Sequence, residues 1–212
     1  MFEYSLLHWT AFLTAAILLN ISPGPDIAYM ISHSIRGGKR VGFAAMFGTW
    51  AGTMVHVFAA ALGLTAILAT SATAFTLVKW CGAIYLIWLG ISALRSKGGS
   101  TFSPDTSKPA RPMKAVFIQG AVVSALNPKI AVFFLAFLPQ FVVEGAGPIW
   151  MQLALHGTLI LAVSAFIEPL FVVLADKLTI TLRDKPKFGL WLDRALGSTL
   201  ISLGAWLAVS QR

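Results

Sequence analysis

The chain predicts an all-α membrane protein: six transmembrane helices in a 3+3 inverted-topology repeat, with proline-broken first and fourth helices. Hydrophobic residues make up 57% of the 212 and charged residues only 11%, against about 25% charged in an average soluble domain. Apolar runs of bilayer-spanning length, roughly 20 residues, occur six times. Two of those runs carry a proline followed directly by a charge, at Pro25-Asp26 and Pro128-Lys129.

The first span, about 5–33, contains Asn20-Ile21-Ser22-Pro23-Gly24-Pro25-Asp26. Proline removes a backbone donor and clashes with the preceding turn, so this span should be kinked or broken. In a bilayer the freed backbone groups are tolerated only against protein or a water-filled cavity. The second span, about 42–69, places Gly48, Gly52 and His56 on one line, a small-residue face that lets helices approach closely. The third, about 73–94, ends near Leu89-Gly90.

A polar Gly/Ser/Pro-rich linker, 96–114, follows. It divides a single transmembrane domain, 1–212, into a first three-helix repeat, 1–95, and a second, 115–212. The fourth span, about 115–142, holds Ala125-Leu126-Asn127-Pro128-Lys129. The fifth, about 148–175, carries His156, a loose counterpart of His56, and Glu168-Pro169. In the sixth, about 189–210, Leu203-Gly204 echoes Leu89-Gly90. Three spans per half is an odd number, so the second half enters the membrane inverted. Paired breaks in two such halves point to a binding site at their interface.

The net charge of +8 and pI near 10.0 do not indicate nucleic acid, because the charges cluster in short connections between apolar spans. Arg36, Lys39, Arg40, Arg95, Lys97, Lys108, Arg111, Lys114, Lys177, Arg183, Lys185, Lys187 and Arg194 fall on one side; Lys79 and Arg212 fall on the other. The positive-inside rule places the larger group in the cytoplasm and both termini in the periplasm. The first basic residue is Arg36, so a signal peptide's basic n-region is absent and the first apolar segment should stay as a helix. Trp9, Trp150, Trp206 and Trp191 fall near span ends, where amphipathic rings prefer the headgroups. Trp50 and Trp88 lie deeper and read as packing. The single Cys81 excludes an internal disulfide and reads as a packed thiol.

Asp26 and Lys129 are the principal site candidates. A carboxylate at a helix centre costs about 2.5–3.5 kcal/mol on insertion scales, so Asp26 should face a partner or a cavity. It also suits the N-cap of the half-helix after Pro25, and the two roles are compatible. Lys129 lies about 21 Å into its span, too deep to snorkel easily, and needs a carbonyl end, a carboxylate or a substrate anion. A fixed ion pair with Asp26 or Glu168 is the structural alternative. Glu168 is the first candidate for proton coupling, ahead of Asp26 and His56, since a carboxylate kept from water can exchange protons near neutral pH. His56 reads first as a satisfied buried histidine, while His8, His33 and His156 lie nearer span ends and carry little information. No nucleotide-binding or zinc-protease motif is present, and four scattered histidines make no metal site, so neither cofactor nor metal is expected.

The chain resembles the LysE/RhtB family of bacterial amino-acid exporters over nearly its whole length. The agreement includes Ser22-Pro23-Gly24-Pro25, Gly82-Ala83-Ile84-Tyr85-Leu86-Ile87-Trp88-Leu89-Gly90, Asn127-Pro128-Lys129, Phe133-Phe134 and Leu138-Pro139-Gln140-Phe141, in order. The resemblance implies efflux of small amino acids or their derivatives across the bacterial inner membrane, driven by an ion gradient rather than ATP. Pro23, Gly24, Pro25, Asp26, Asn127, Pro128 and Lys129 would then form the substrate site. Family members often have an acid in the fifth span, which Glu168 supplies, and another after the second-span glycines, where this chain has Thr53. The implied partners are a small amino acid, protons exchanged in antiport and lipid, with a homodimer left open. Two alternatives stand: a cation or metal exporter, disfavoured by two acids in the spans and no second cysteine, and a membrane-embedded enzyme or assembly subunit, disfavoured by the absent catalytic motif.

Overall fold

The computed structural model describes residues 4–22, 24–65, 72–95, 111–175, 177 and 186–209. Pro23, most of the 96–114 linker and both chain ends therefore lie outside the described residues. Those described are helical almost throughout, with no strand among them.

Helix α1 (Leu6–Ile21) begins at Ser5, whose hydroxyl accepts from the His8 amide, a good N-cap arrangement. It stops at Ile21, and α2 (Pro25–Phe58) begins with proline in its first turn, where the missing amide costs nothing. Gly38 interrupts α2 with φ 75° and ψ 177°, a conformation open to glycine and strained for other residues. The two legs fold back on each other, with Ser34 against Gly42 and the Thr49 hydroxyl 3.9 Å from the Met30 sulfur. This single glycine turn, flanked by Arg36, Lys39 and Arg40, replaces the longer connection expected between 33 and 42. The second leg continues through a π-type stretch, Ala59–Leu64.

Helix α3 (Ala72–Leu94) follows. Helix α4 (Met113–Ala125) and α5 (Pro128–Val132) meet at a 45° bend, and α5 runs on through wider and tighter turns to Phe141. Helix α6 (Ile149–Val173) and α7 (Pro186–Val209) complete the order. Residues 25–64, α3 and α6 are long and apolar enough to cross a membrane, and the bent α4–α5 pair makes a fourth candidate. Division at Gly38 makes the 40-residue stretch 25–64 two antiparallel legs rather than one crossing.

Glycines set the closest helix contacts. At Gly48 a Cβ would collide with the Phe117 carbonyl of α4, and at Gly52 with the Ala121 carbonyl and the Ser124 side chain. The sequence's small-residue face is thus the α2–α4 contact. Gly90 of α3 lies against Ile201 of α7, while Gly204 of α7 lies against Ile87 of α3. Overpacking of this kind costs about 1–3 kcal/mol, so Gly52→Ala should lower thermal stability in detergent. Gly63→Ala, with nothing within 4 Å of its Cβ, should leave it unchanged apart from helix propensity. Equal melting of both variants would show that the α2–α4 contact tolerates the methyl.

Large apolar side chains such as Leu6, Phe58, Phe166 and Trp191 face outward, as suits a lipid-facing surface. Trp88 and Cys81 are also exposed rather than packed. Lys79, expected at the outer end of its span, is buried within α3. The buried apolar residues form three clusters. Among the described residues, one joins α1, α5 and α6 to the far end of the second α2 leg and the start of α3, a second joins both legs of α2 to α4 and the end of α6, and a polar-lined cavity lies between these two.

Candidate functional site

The two helix breaks leave backbone groups unpaired inside an apolar body, and each is met by a charge from the other half of the chain. Ser22 bonds back to the Leu18 carbonyl, but other carbonyls at the end of α1 have no helical donor. Lys129 supplies one: its Nζ donates to the Ser22 carbonyl at 2.9 Å and the Leu19 carbonyl at 3.3 Å. A cation at a helix C-terminus also complements the helix dipole. Gly24 makes room for it, because a Cβ there would lie 3.0 Å from Nζ. The Gly24 backbone is extended, φ −169°, so space rather than backbone freedom explains the glycine.

Asp26 makes the reciprocal crossing to the α4–α5 break. It accepts from Asn127 Nδ2 at 2.9 Å and from Ser124 Oγ at 3.2 Å. Asn127 works in both directions, since its Oδ1 caps α5 by accepting from the Lys129 amide at 3.0 Å. The Ser124 hydrogen is committed to Asp26, so Thr53, whose Oγ1 lies 3.0 Å from Ser124 Oγ, is the donor to it. His56 Nε2 donates to the Ser124 carbonyl at 3.1 Å. It is buried and hydrogen-bonded, and is not among the residues lining the cavity.

Glu168 reaches the same place from α6. Its Oε2 accepts from Trp50 Nε1 at 2.6 Å, its one hydrogen bond among the described residues. Glu168, Asp26, Lys129, Thr53, Asn20 and Ser164 line one cavity of about 30 Å³, closed on its apolar side by Leu19, Ile130, Phe134 and Ile160. A water needs about 10–15 Å³ on this measure, so the space suits about two waters. Ser164 donates to Asn20 Oδ1 at 2.6 Å and ties α6 to α1 beside this space.

Of the residues singled out from sequence, Gly24, Asp26, Asn127, Lys129 and Glu168 gather around this point, and Pro25 and Pro128 open the two half-helices. Pro23 lies outside the described residues. The ion pair weighed for Lys129 is not formed: among the described residues no ion pair joins it to Asp26 or Glu168. Trp50, read as packing, holds the Glu168 carboxylate instead. His8 and His156, read as uninformative, lie 2.8 Å apart between Nε2 atoms. Asp193, uncounted among the span acids, is 5% exposed in α7, with Oδ2 unpartnered among the described residues. Ser124 and Asn20 were also missed, because a serine or asparagine in an apolar run carries no signal of which helix it will face. No group of three His, Cys, Asp or Glu could hold a metal ion among the described residues.

A family model, the LysE type translocator, matches residues 17–211. The chain is 32% identical over 206 residues to an uncharacterized membrane protein of Vibrio cholerae, covering 96% of this chain and 97% of the relative. It is 32% identical over 203 residues to a homoserine/homoserine lactone efflux protein of Salmonella typhi, covering 94% and 95%. A leucine efflux protein of Salmonella choleraesuis is 29% identical over 144 residues, 66% of each chain. No solved structure matches.

Proposed function

This chain belongs to the LysE type translocator family, and from that premise we propose that it exports small amino acids or close derivatives across the bacterial inner membrane, driven by the proton gradient. The observation that carries the proposal is the pairing of Asp26 and Lys129. Each is the residue directly after a half-helix's opening proline, and both line one cavity. An amino acid carries an ammonium and a carboxylate. Lys129 would take the carboxylate, and Asp26, or the α1 carbonyls that Lys129 releases, would take the ammonium. In that scheme the Lys129 ammonium stands in the closed site where a substrate ammonium can bind.

The two-repeat architecture belongs to the same reading. The third span packs on the sixth through Gly90 and Gly204. The second span packs on the fourth as the fifth packs on the first. These are the contacts expected of two three-helix halves, 1–95 and 115–212, related by an in-plane axis. Both termini would then be periplasmic. Alkaline phosphatase fused after Arg212 should be active, and a silent fusion would reverse the orientation.

Everted membrane vesicles test the transport reading directly. Homoserine, homoserine lactone, leucine, threonine and lysine are offered in turn. Uptake of at least one should require the proton gradient and collapse with a protonophore. Failure of every candidate in a folded preparation, or uptake of a metal cation instead, would remove the reading.

A further inference from the structure

Helices α1 and α6 are joined a second time, nearer the start of both. Tyr4 donates to Gln152 Oε1 at 3.1 Å, and His8 Nε2 lies 2.8 Å from His156 Nε2. The proton positions follow from the neighbours. His156 Nδ1 is 2.8 Å from the Gln152 carbonyl, which can only accept, so Nδ1 carries a hydrogen. In the neutral ring, His156 Nε2 is then a lone pair and His8 Nε2 is the donor.

This geometry accommodates one added proton and not two. His8 is half-buried while His156 is 1% exposed. A first proton on His8 Nδ1 leaves the Nε2–Nε2 bond in place and makes it charge-assisted. A second proton can go only to His156 Nε2, where two N–H groups would then point at each other between two cations. Aromatic faces line the site: Tyr4 stacks on His8 at 4.4 Å and Trp9 on His156 at 5.6 Å, positions that favour an imidazolium. Phe12 and Phe141 close the sides edge-on.

Among the described residues, the titratable groups facing the pair are the Tyr4 hydroxyl and the two rings themselves. From the other packed elements come Phe141 and Gln152, which do not titrate, and Glu144 in the connection before α6 is exposed. No carboxylate bonded to the pair balances a second charge among the described residues.

We propose that His8 and His156 form a proton-binding clasp on the α1–α6 seam, which holds with one bound proton and parts when both rings are protonated. The site is separate from Glu168 and rests on the exporter reading only in being placed at the periplasmic end. There it would open the seam as the outside acidifies.

The test needs no substrate. Spin labels are attached at Leu7→Cys and Trp150→Cys in a Cys81→Ser background, reconstituted in lipid nanodiscs. The distance between them is measured by pulsed electron resonance at about pH 8 and about pH 5, which spans ordinary imidazole titration. A population longer by several ångströms should appear at the lower pH. It should be absent in His8→Gln and in His8→Phe, which keeps a ring stacked on Tyr4. An unchanged distance without the His8 replacement, or the same lengthening in either His8 variant, overturns the proposal. Because no transport is measured, either result leaves the export reading to its own assay.

Discussion

Lys129→Met should reduce efflux by roughly 10–100-fold per folded molecule, the equivalent of losing one charge-assisted hydrogen bond of about 1.5–3 kcal/mol to the substrate. Stability should fall as well, because the Ser22 and Leu19 carbonyls lose the Nζ donor, and a buried unpaired acceptor costs about 1–3 kcal/mol. Gly24→Ala separates the two effects. It keeps the charge but places a methyl 3.0 Å from Nζ, so the ammonium must shift and efflux should fall with little loss of folded protein. If Lys129→Met melts earlier yet transports normally once folded, Lys129 is a structural strap on α1 and the substrate carboxylate binds elsewhere.

Glu168→Gln should abolish efflux driven by a pH gradient while sparing at least part of the substrate exchange between equilibrated compartments. Exchange needs the site but no net proton movement. The substitution is conservative in geometry, since a glutamine oxygen can still accept from Trp50 Nε1. Glu168 suits proton exchange better than Asp26 does. Asp26 is held by two donors, Asn127 and Ser124, whereas Glu168 has one and faces the cavity. Survival of both activities would place the coupling group elsewhere. Loss of both in folded protein would make Glu168 part of the substrate site.

Much of this was legible in the residues. Length and apolarity point to membrane helices, because a continuous apolar run of about 20 residues crosses the bilayer with its backbone bonded within one segment only as a helix. Pro25 and Pro128 favour the start of a helix, because a proline cannot donate to the preceding turn, and each stands in the first turn of one here, whereas Pro169 lies inside the continuous α6. The charges beside them had to be met inside the protein, because lipid offers no partner. These are local or solvent-imposed constraints, and a sequence carries them without reference to its fold.

The partners were decided only in three dimensions. Lys129 had a carbonyl end, Asp26 and Glu168 as competing choices, and packing α5 against the end of α1 gave it the carbonyls. Trp50 read as packing until α6 brought Glu168 to its ring nitrogen, 118 residues away in the chain. His8 and His156 were two uninformative span-end histidines until the α1–α6 contact set them 2.8 Å apart. Hydrogen bonds are short and directional, so a residue's type specifies what it can bond, and only the packing of distant helices decides which group it meets.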